Sequence, residues 1–357
     1  MRGRTGKLLL IVASVLVTFL LCAAGAAGAA VLLRVGVVWN EAYAERESER
    51  LWRDADRRVL VLGDSFFVPY GLTGRLVAEG LAESGIAVRN LAVNGKGPFE
   101  YLEQLKGAGD EPRPDAVLLG YYVGNDLTDV QNNPQFNPRQ RGTAIRPSPP
   151  RPSPPKVSPG TGGERLDGLY LWRYLRKHPA EDRSFDWARF EAAGIDPEMV
   201  EAAKARRVNP WLLRAALRNP DYLLDNLLME SAANQRAWLK TRELLAAIHE
   251  ETRARKARLL VVVFPRSIQI NDSRFEFFRK LTFRVDERTL TSRRPQELVA
   301  RFCEERGIAM LDLLPVFEER VAEDLYLDMD DHFDADGHRL AADRIVSFVA
   351  PFLASGT

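Results

Sequence analysis

Reactive side chains are scarce in this chain. Its 357 residues include only two cysteines and four histidines, and Lys plus Arg exceed Asp plus Glu by a single charge. So even a balance leaves no basic field for phosphates and excludes a nucleic acid partner. Cys22 lies in an apolar run and Cys303 in a segment of helical spacing, so no intramolecular disulfide is expected. Cys303 reads as a small buried hydrophobe. No zinc-type Cys/His spacing occurs. The acidic residues around the last two histidines match no calcium-loop pattern, so no metal or other cofactor is expected.

What the chain does have begins at its amino terminus. Arg2, Arg4 and Lys7 precede an uncharged run from Leu8 to Leu33. As a helix this run would be about 39 Å long, more than the ~30 Å hydrocarbon core of a bilayer. The basic flank keeps residues 1–7 in the cytoplasm and exports the rest. A cleaved signal peptide competes with this reading, because "CAAGAAGAA" offers small residues for cleavage. The run is longer than a secretory core, and an uncleaved transmembrane signal-anchor over 8–33 is the expectation. Residues 34–56 are highly charged, lack an apolar face and read as a stalk. The expected location is therefore the cell membrane, single-pass, with the bulk of the chain on the extracytoplasmic side.

From residue 57 strands and helices alternate. "RVLVLGDS" is a strand, "LTGRLVAEGLAESG" a helix closing at Gly85, and "IAVRNLAVNGKG" a strand ending in a Gly-rich turn. "PFEYLEQLKGAG" is a helix and "PDAVLLGYYVGNDL" a third strand. This order implies right-handed crossovers in a parallel α/β sheet covered on both faces. Residues 127–256 interrupt it. A Pro-, Ser- and Gly-rich loop spans 131–163, too polar to bury a core. Short helices follow, with Asn209-Pro210 and Asn219-Pro220 each placed as N-cap and first helical residue. They read equally as a lid or as part of the helical layer. The pattern resumes with "ARLLVVVFP", the helix "PQELVARFCEERG", the short strand "IAMLDLLPVF" and a last helix "DGHRLAADRIVSFVAPFL". One sheet with an insertion, over 57–353, fits this better than two independent domains.

Three strands end in polar turns: Ser65 after the first, Asn94-Gly95 after the second, Gly124-Asn125-Asp126 after the third. Carboxyl edges of parallel strands lie side by side, so turns about 30 residues apart in sequence converge in space. Hydrolysis needs a nucleophile, a base, an orienter and oxyanion donors. Ser65 is the candidate nucleophile. The Gly95 N–H and the Asn125 amide are candidate donors, with the Ser65 N–H as a further one. His178 and His249 stand in charged surroundings and read as surface residues. His332, two residues after Asp330, is the candidate base, and His338 at the start of the last helix suits packing or capping.

In their order, Gly63-Asp64-Ser65, Gly95, Gly124-Asn125-Asp126, and Asp330 with His332 resemble the SGNH/GDSL hydrolase superfamily. The resemblance covers 57–130 and 257–353 and is silent on the stretch between. It implies a three-layer α/β/α sandwich with a mainly parallel sheet. It also implies a triad of Ser65, His332 and Asp330, and an oxyanion hole of Gly95 and Asn125. The chain departs from the pattern at Met329, where many members carry the Asp. The Asp-x-His spacing found instead resembles the alginate O-acetyltransferase-like branch, with Asp328 and Asp331 as substitutes for Asp330. "HFDADGHRLAAD" resembles the family's His-aromatic-Asn-x-x-Gly-His ending, with Asp334 in place of the Asn, and this favours His332 over His338 as base.

The expected function is a membrane-anchored serine esterase acting on O-acyl, chiefly acetyl, esters of a glycan or lipid. One alternative is an O-acyltransferase modifying a cell-surface polysaccharide. Lacking a donor-binding motif and a polytopic membrane domain, it would need a membrane acyltransferase partner. The other alternative is a non-catalytic exported module that binds glycan or anchors an assembly.

Overall fold

The computed structural model describes residues 49–68, 72–109, 112–137, 185–205 and 207–354. The signal-anchor, most of the stalk and the Pro-rich loop beyond residue 137 lie outside the described residues. Among the described residues no helix is long and apolar enough to cross a membrane.

Five strands form one parallel sheet: β1 (Arg57–Leu62), β2 (Ile86–Asn90), β3 (Ala116–Tyr122), β4 (Arg258–Phe264) and β5 (Ala309–Asp312), in the order β2-β1-β3-β4-β5. The apolar runs of β1, β3 and β4 are long because both of their faces are covered, and alternate residues serve opposite layers. Val59, Val61, Leu118 and Val262 face one core; Leu60, Leu62, Leu119 and Val261 face the other. The first core is closed by α1 (Leu72–Glu83) and the last helix, α14 (Ala335–Ala354), which pack on each other.

The second core carries more helix. It is covered by α2 (Pro98–Gly107), α3 (Asp126–Asn132), the short helices α4 (Trp187–Ala192), α5 (Pro197–Lys204), α6 (Pro210–Arg218) and α7 (Tyr222–Leu227), and the long α8 (Ala232–Ala254). Met199, Val208, Leu213, Leu223 and Leu227 bury in the same core as Leu60 and Leu119. The inserted helices therefore belong to the helical layer. Between β4 and β5 come α9 (Ser267–Ile270), α10 (Arg274–Lys280), α11 (Arg288–Thr291) and α12 (Arg294–Arg306), and α13 (Leu314–Glu318) follows β5.

Local signals set most boundaries. The Asn209 side chain caps α6 by accepting from the Trp211 N–H, with Pro210 in the first turn. The parallel reading of Asn219-Pro220 does not hold. Asn219 Oδ1 accepts from the Asp221 N–H at 3.1 Å, which makes a turn ahead of the helix, and α7 starts at Tyr222 with Asp221 at its N-cap. The carbonyl of Pro220 is taken by the Arg284 N–H, so that residue serves a tertiary contact instead of the first helical turn. Gly307 ends α12 at φ 63°, the left-handed cap that glycine adopts without a Cβ penalty.

The order of strands decides where a site forms. From β1 the chain runs outward to β2, then crosses back to place β3 on the other side of β1. The crevice at such a reversal lies between the carboxyl ends of β1 and β3. Ser65 follows β1 and Asn125 follows β3.

Candidate active site

The turn after β1 is built by its own backbone. The N–H groups of Phe67 and Val68 both donate to the Asp64 carbonyl at 3.1 Å, which folds Ser65 back over the strand end. Asp64, only 2% exposed, points inward. Its Oδ1 accepts from the Phe66 N–H at 3.3 Å, and its Oδ2 accepts from Asn125 Nδ2 at 3.1 Å and from Ser65 Oγ at 3.4 Å. Burial pushes its carboxyl above the usual range, against the Asn125 hydrogen bond and the nearby His332 charge.

The third turn owes its shape to Gly124, where a Cβ would fall 2.2 Å from the Tyr122 ring. Asn125 follows as the N-cap of α3. Its carbonyl accepts from the Asp129 N–H and Thr128 Oγ1, its amide reaches Asp64, and its buried Oδ1 has no hydrogen-bond partner among the described residues. Gly95 sits in the exposed turn after β2 at φ 67°. The Val93 N–H donates to the Gly63 carbonyl at 3.1 Å and ties this turn to the exit of β1.

His332 arrives from the far end of the chain. Its ring centroid lies 5.2 Å from that of Phe66, the residue after Ser65. Phe66 in turn packs on Tyr122, Phe264 and Phe333, so one aromatic cluster binds the histidine segment to the Ser65 turn. His332 Nδ1 is 3.1 Å from Asp330 Oδ1. Burial opposes a charge on the imidazole, but the Asp330 carboxylate, with Asp64 and Asp331 behind it, outweighs burial and holds the pKa up at about 9. Asp330 moves the other way. Burial would raise its pKa, and the His332 charge and hydrogen bond pull it below the ordinary value. Asp330 is also within reach of the Asn209 side chain from the insertion.

Among the described residues neither substitute for Asp330 hydrogen-bonds the His332 ring. Asp331 accepts from Ser267 Oγ (2.5 Å) and N–H (3.2 Å) and from the Tyr122 hydroxyl (2.8 Å), and it faces Arg266 Nε at 2.6 Å. Asp328 is exposed and offers its backbone carbonyl to Arg274. His338 is buried, with Nδ1 2.6 Å from Thr73 Oγ1 and its pKa lowered to about 3 by burial. Asp334 accepts from the Gly337 N–H at 2.8 Å at the start of α14.

Ser65, Asp64, Asn125, Asp330 and His332 thus gather at one end of the sheet. Ser65 Oγ makes its hydrogen bond to Asp64 and none to His332 among the described residues. Such bonds commonly tighten only with substrate present. Sequence reasoning did not single out Asp64, although it stands inside the motif, or Arg266. A signal for Arg266 existed: it follows a fourth strand end, at Pro265-Arg266-Ser267.

No family model matches the chain and no curated protein matches it. Similar solved structures include an acetylxylan esterase from Geobacillus stearothermophilus, at 12% identity and a TM-score of 0.38 over 84% of this chain and 96% of that one. The acetyl xylan esterase AlAXEase has 11% identity and a TM-score of 0.39, over 81% and 98%. TesA has 12% identity and a TM-score of 0.37, over 83% and 100%. These are remote likenesses.

Proposed function

We propose that this chain is a serine esterase of the SGNH/GDSL kind, anchored in the membrane by residues 8–33, that removes O-acyl, chiefly acetyl, groups outside the cytoplasm. The observation that carries the reading is the Asp330–His332 pair, packed through Phe66 against a turn that presents Ser65 beside the Asn125 amide. Neutral His332 takes the Ser65 proton as Oγ attacks the acyl carbon, and Asp330 stabilises the imidazolium that forms. The developing oxyanion is met by the Gly95 N–H and by the Asn125 hydrogen not engaged with Asp64, where fixed donors stabilise charge more than water does. The bond to the alcohol breaks, the alcohol leaves with the proton from His332, and an acyl-serine remains. Water, activated by the same imidazole, releases the acid.

A glycan hydroxyl in place of that water would make the chain an O-acyltransferase supplied by a membrane acyltransferase partner. The two-residue spacing of Asp330 and His332, which resembles that of the alginate O-acetyltransferase-like branch, supports keeping this second reading.

Hydrolysis of p-nitrophenyl acetate and labelling by a fluorophosphonate test the assignment. Wild type should do both and Ser65→Ala neither. A wild type inert to both reagents makes the chain a non-catalytic module, and a labelled Ser65→Ala protein moves the nucleophile elsewhere. Retention in membranes after an alkaline carbonate wash tests the anchor, and release as a shortened chain would mean a cleaved signal.

A further inference from the structure

Among the described residues Arg266 is the largest of the fully buried side chains, at 1% exposure. Its Nη1 donates to the Gly124 carbonyl at 3.1 Å, and its Nε lies 2.6 Å from Asp331 Oδ2. The Nε–H is not aligned on that oxygen, so the second contact is a close ion pair and not a directed hydrogen bond. Each acceptor adjoins a residue assigned to the chemistry. Gly124 precedes Asn125, and Asp331 stands between Asp330 and His332. The guanidinium has the Tyr222 ring at 5.1 Å and the Phe278 ring at 5.0 Å, the first from α7 of the insertion and the second from α10.

We infer that Arg266 is the positioning residue that holds the oxyanion turn and the Asp330–His332 segment in one register, and that the inserted helices act on catalysis through it. The physical case begins with cost. Burying an ion pair stabilises a fold no better than apolar side chains of the same volume. A guanidinium nevertheless occupies the seam where two loops meet. Its Nη1–H is directed at the Gly124 carbonyl while its Nε keeps ion-pair contact with Asp331, two contacts that the compact ammonium of a lysine does not span at once.

Asp331 is gripped from two strands at once: by the Tyr122 hydroxyl at the end of β3, and by Ser267 and Arg266 just past β4. With that carboxylate fixed, its two chain neighbours have little freedom. Tyr222 covers the guanidinium from a segment more than 90 residues beyond Asn125 in sequence. This gives the insertion, silent in the family resemblance, a route to the site beside the contact of Asn209 with Asp330.

The inference rests on the esterase reading for its meaning, yet its test does not depend on ester cleavage. The imidazole of His332 is followed by NMR as pH is raised, in the full chain. In wild type it should titrate near the high value of about 9. Arg266→Lys keeps the charge but gives up one of the two acceptors. If the segment loosens, the His332 midpoint falls by about one unit or more toward the free-imidazole value. Ser267→Ala removes one hydroxyl from Asp331 without touching a charge, and should move the midpoint the same way by less.

Folded variants of both kinds that keep the wild-type midpoint would overturn the inference, because a side chain that only adds stability lowers the melting temperature and leaves the titration alone. On p-nitrophenyl acetate the Arg266→Lys loss should fall in kcat, on the order of 100-fold for a misplaced constellation, with KM little changed. A wild type that fails to react with fluorophosphonate while its His332 still titrates high would sink the esterase reading by itself.

Discussion

Asn125 Nδ2 donates to Asp64 Oδ2 at 3.1 Å, so the carboxylate inside the Gly-Asp-Ser turn aims the amide that follows β3. The same oxygen also accepts the Ser65 hydroxyl. Asp64 therefore couples the Ser65 turn to the proposed oxyanion donor.

From this coupling, Asn125→Ala is expected to lower kcat by roughly 10²-fold, the scale of a lost oxyanion donor. Asp64→Ala should cost a similar amount. Because both act through one hydrogen bond, the double variant should lose far less than the sum of the two free energies. Additive losses in a double-mutant cycle would show that Asp64 works independently of Asn125.

The two carboxy-terminal histidines should separate cleanly. His332→Ala removes the proposed base and should cost on the order of 10³ or more in kcat. His338→Ala leaves Thr73 Oγ1 without its 2.6 Å partner in a buried setting, worth about 1–3 kcal/mol of stability. Its kcat should stay within a few-fold of wild type at a temperature where it is folded. Urea unfolding and initial rates, measured side by side, decide the matter.

Activity should favour alkaline pH. The base must be unprotonated, and Asp330, Asp64 and Asp331 hold His332 protonated until about pH 9, against the effect of burial. The kcat/KM profile of the free enzyme should therefore climb through that region. Asp330→Asn should shift the midpoint down toward about 6.5 while lowering the plateau. Stability follows the same linkage. The paired imidazolium contributes fully below the unfolded pKa of about 6.5, and that contribution is lost as pH rises toward 9.

Asp129, whose N–H donates to the Asn125 carbonyl, offers a second pH test. Burial, then the charges of Asp64 and Glu100, push its carboxyl up to about 8, and its Oδ2 lacks a hydrogen-bond partner among the described residues. The neutral form favours the fold. Stability present below the unfolded pKa of about 3.9 is therefore lost as pH rises through 8. Asp129→Asn should melt higher than wild type at pH 9, by roughly 2–4 °C for each kcal/mol, and should match it near pH 4. Melting curves at the two pH values check this.

Much of the architecture was legible before any coordinates. The apolar runs of β1, β3 and β4, the Gly85 and Gly307 stops and the alternation of period two with helical spacing all report local or two-faced burial, which a sequence displays directly. Ser65 and Asn125 were visible as polar residues at strand ends. The start of α7 was not, because Asn219 spends its side chain on a turn and the Pro220 carbonyl is held by Arg284 from a later segment.

By itself the sequence determined the parallel sheet, its interruption and the short roster of residues able to perform ester chemistry. Which neighbour does what was decided only in three dimensions. Asp330 and Asp331 are adjacent in the chain and chemically identical. One faces His332, while the other faces Arg266, Ser267 and Tyr122, residues 64 to 209 positions away. Consecutive side chains point in different directions, and a carboxylate's role is set by the donors it meets. Those donors are brought by strands whose order in the sheet no local pattern specifies.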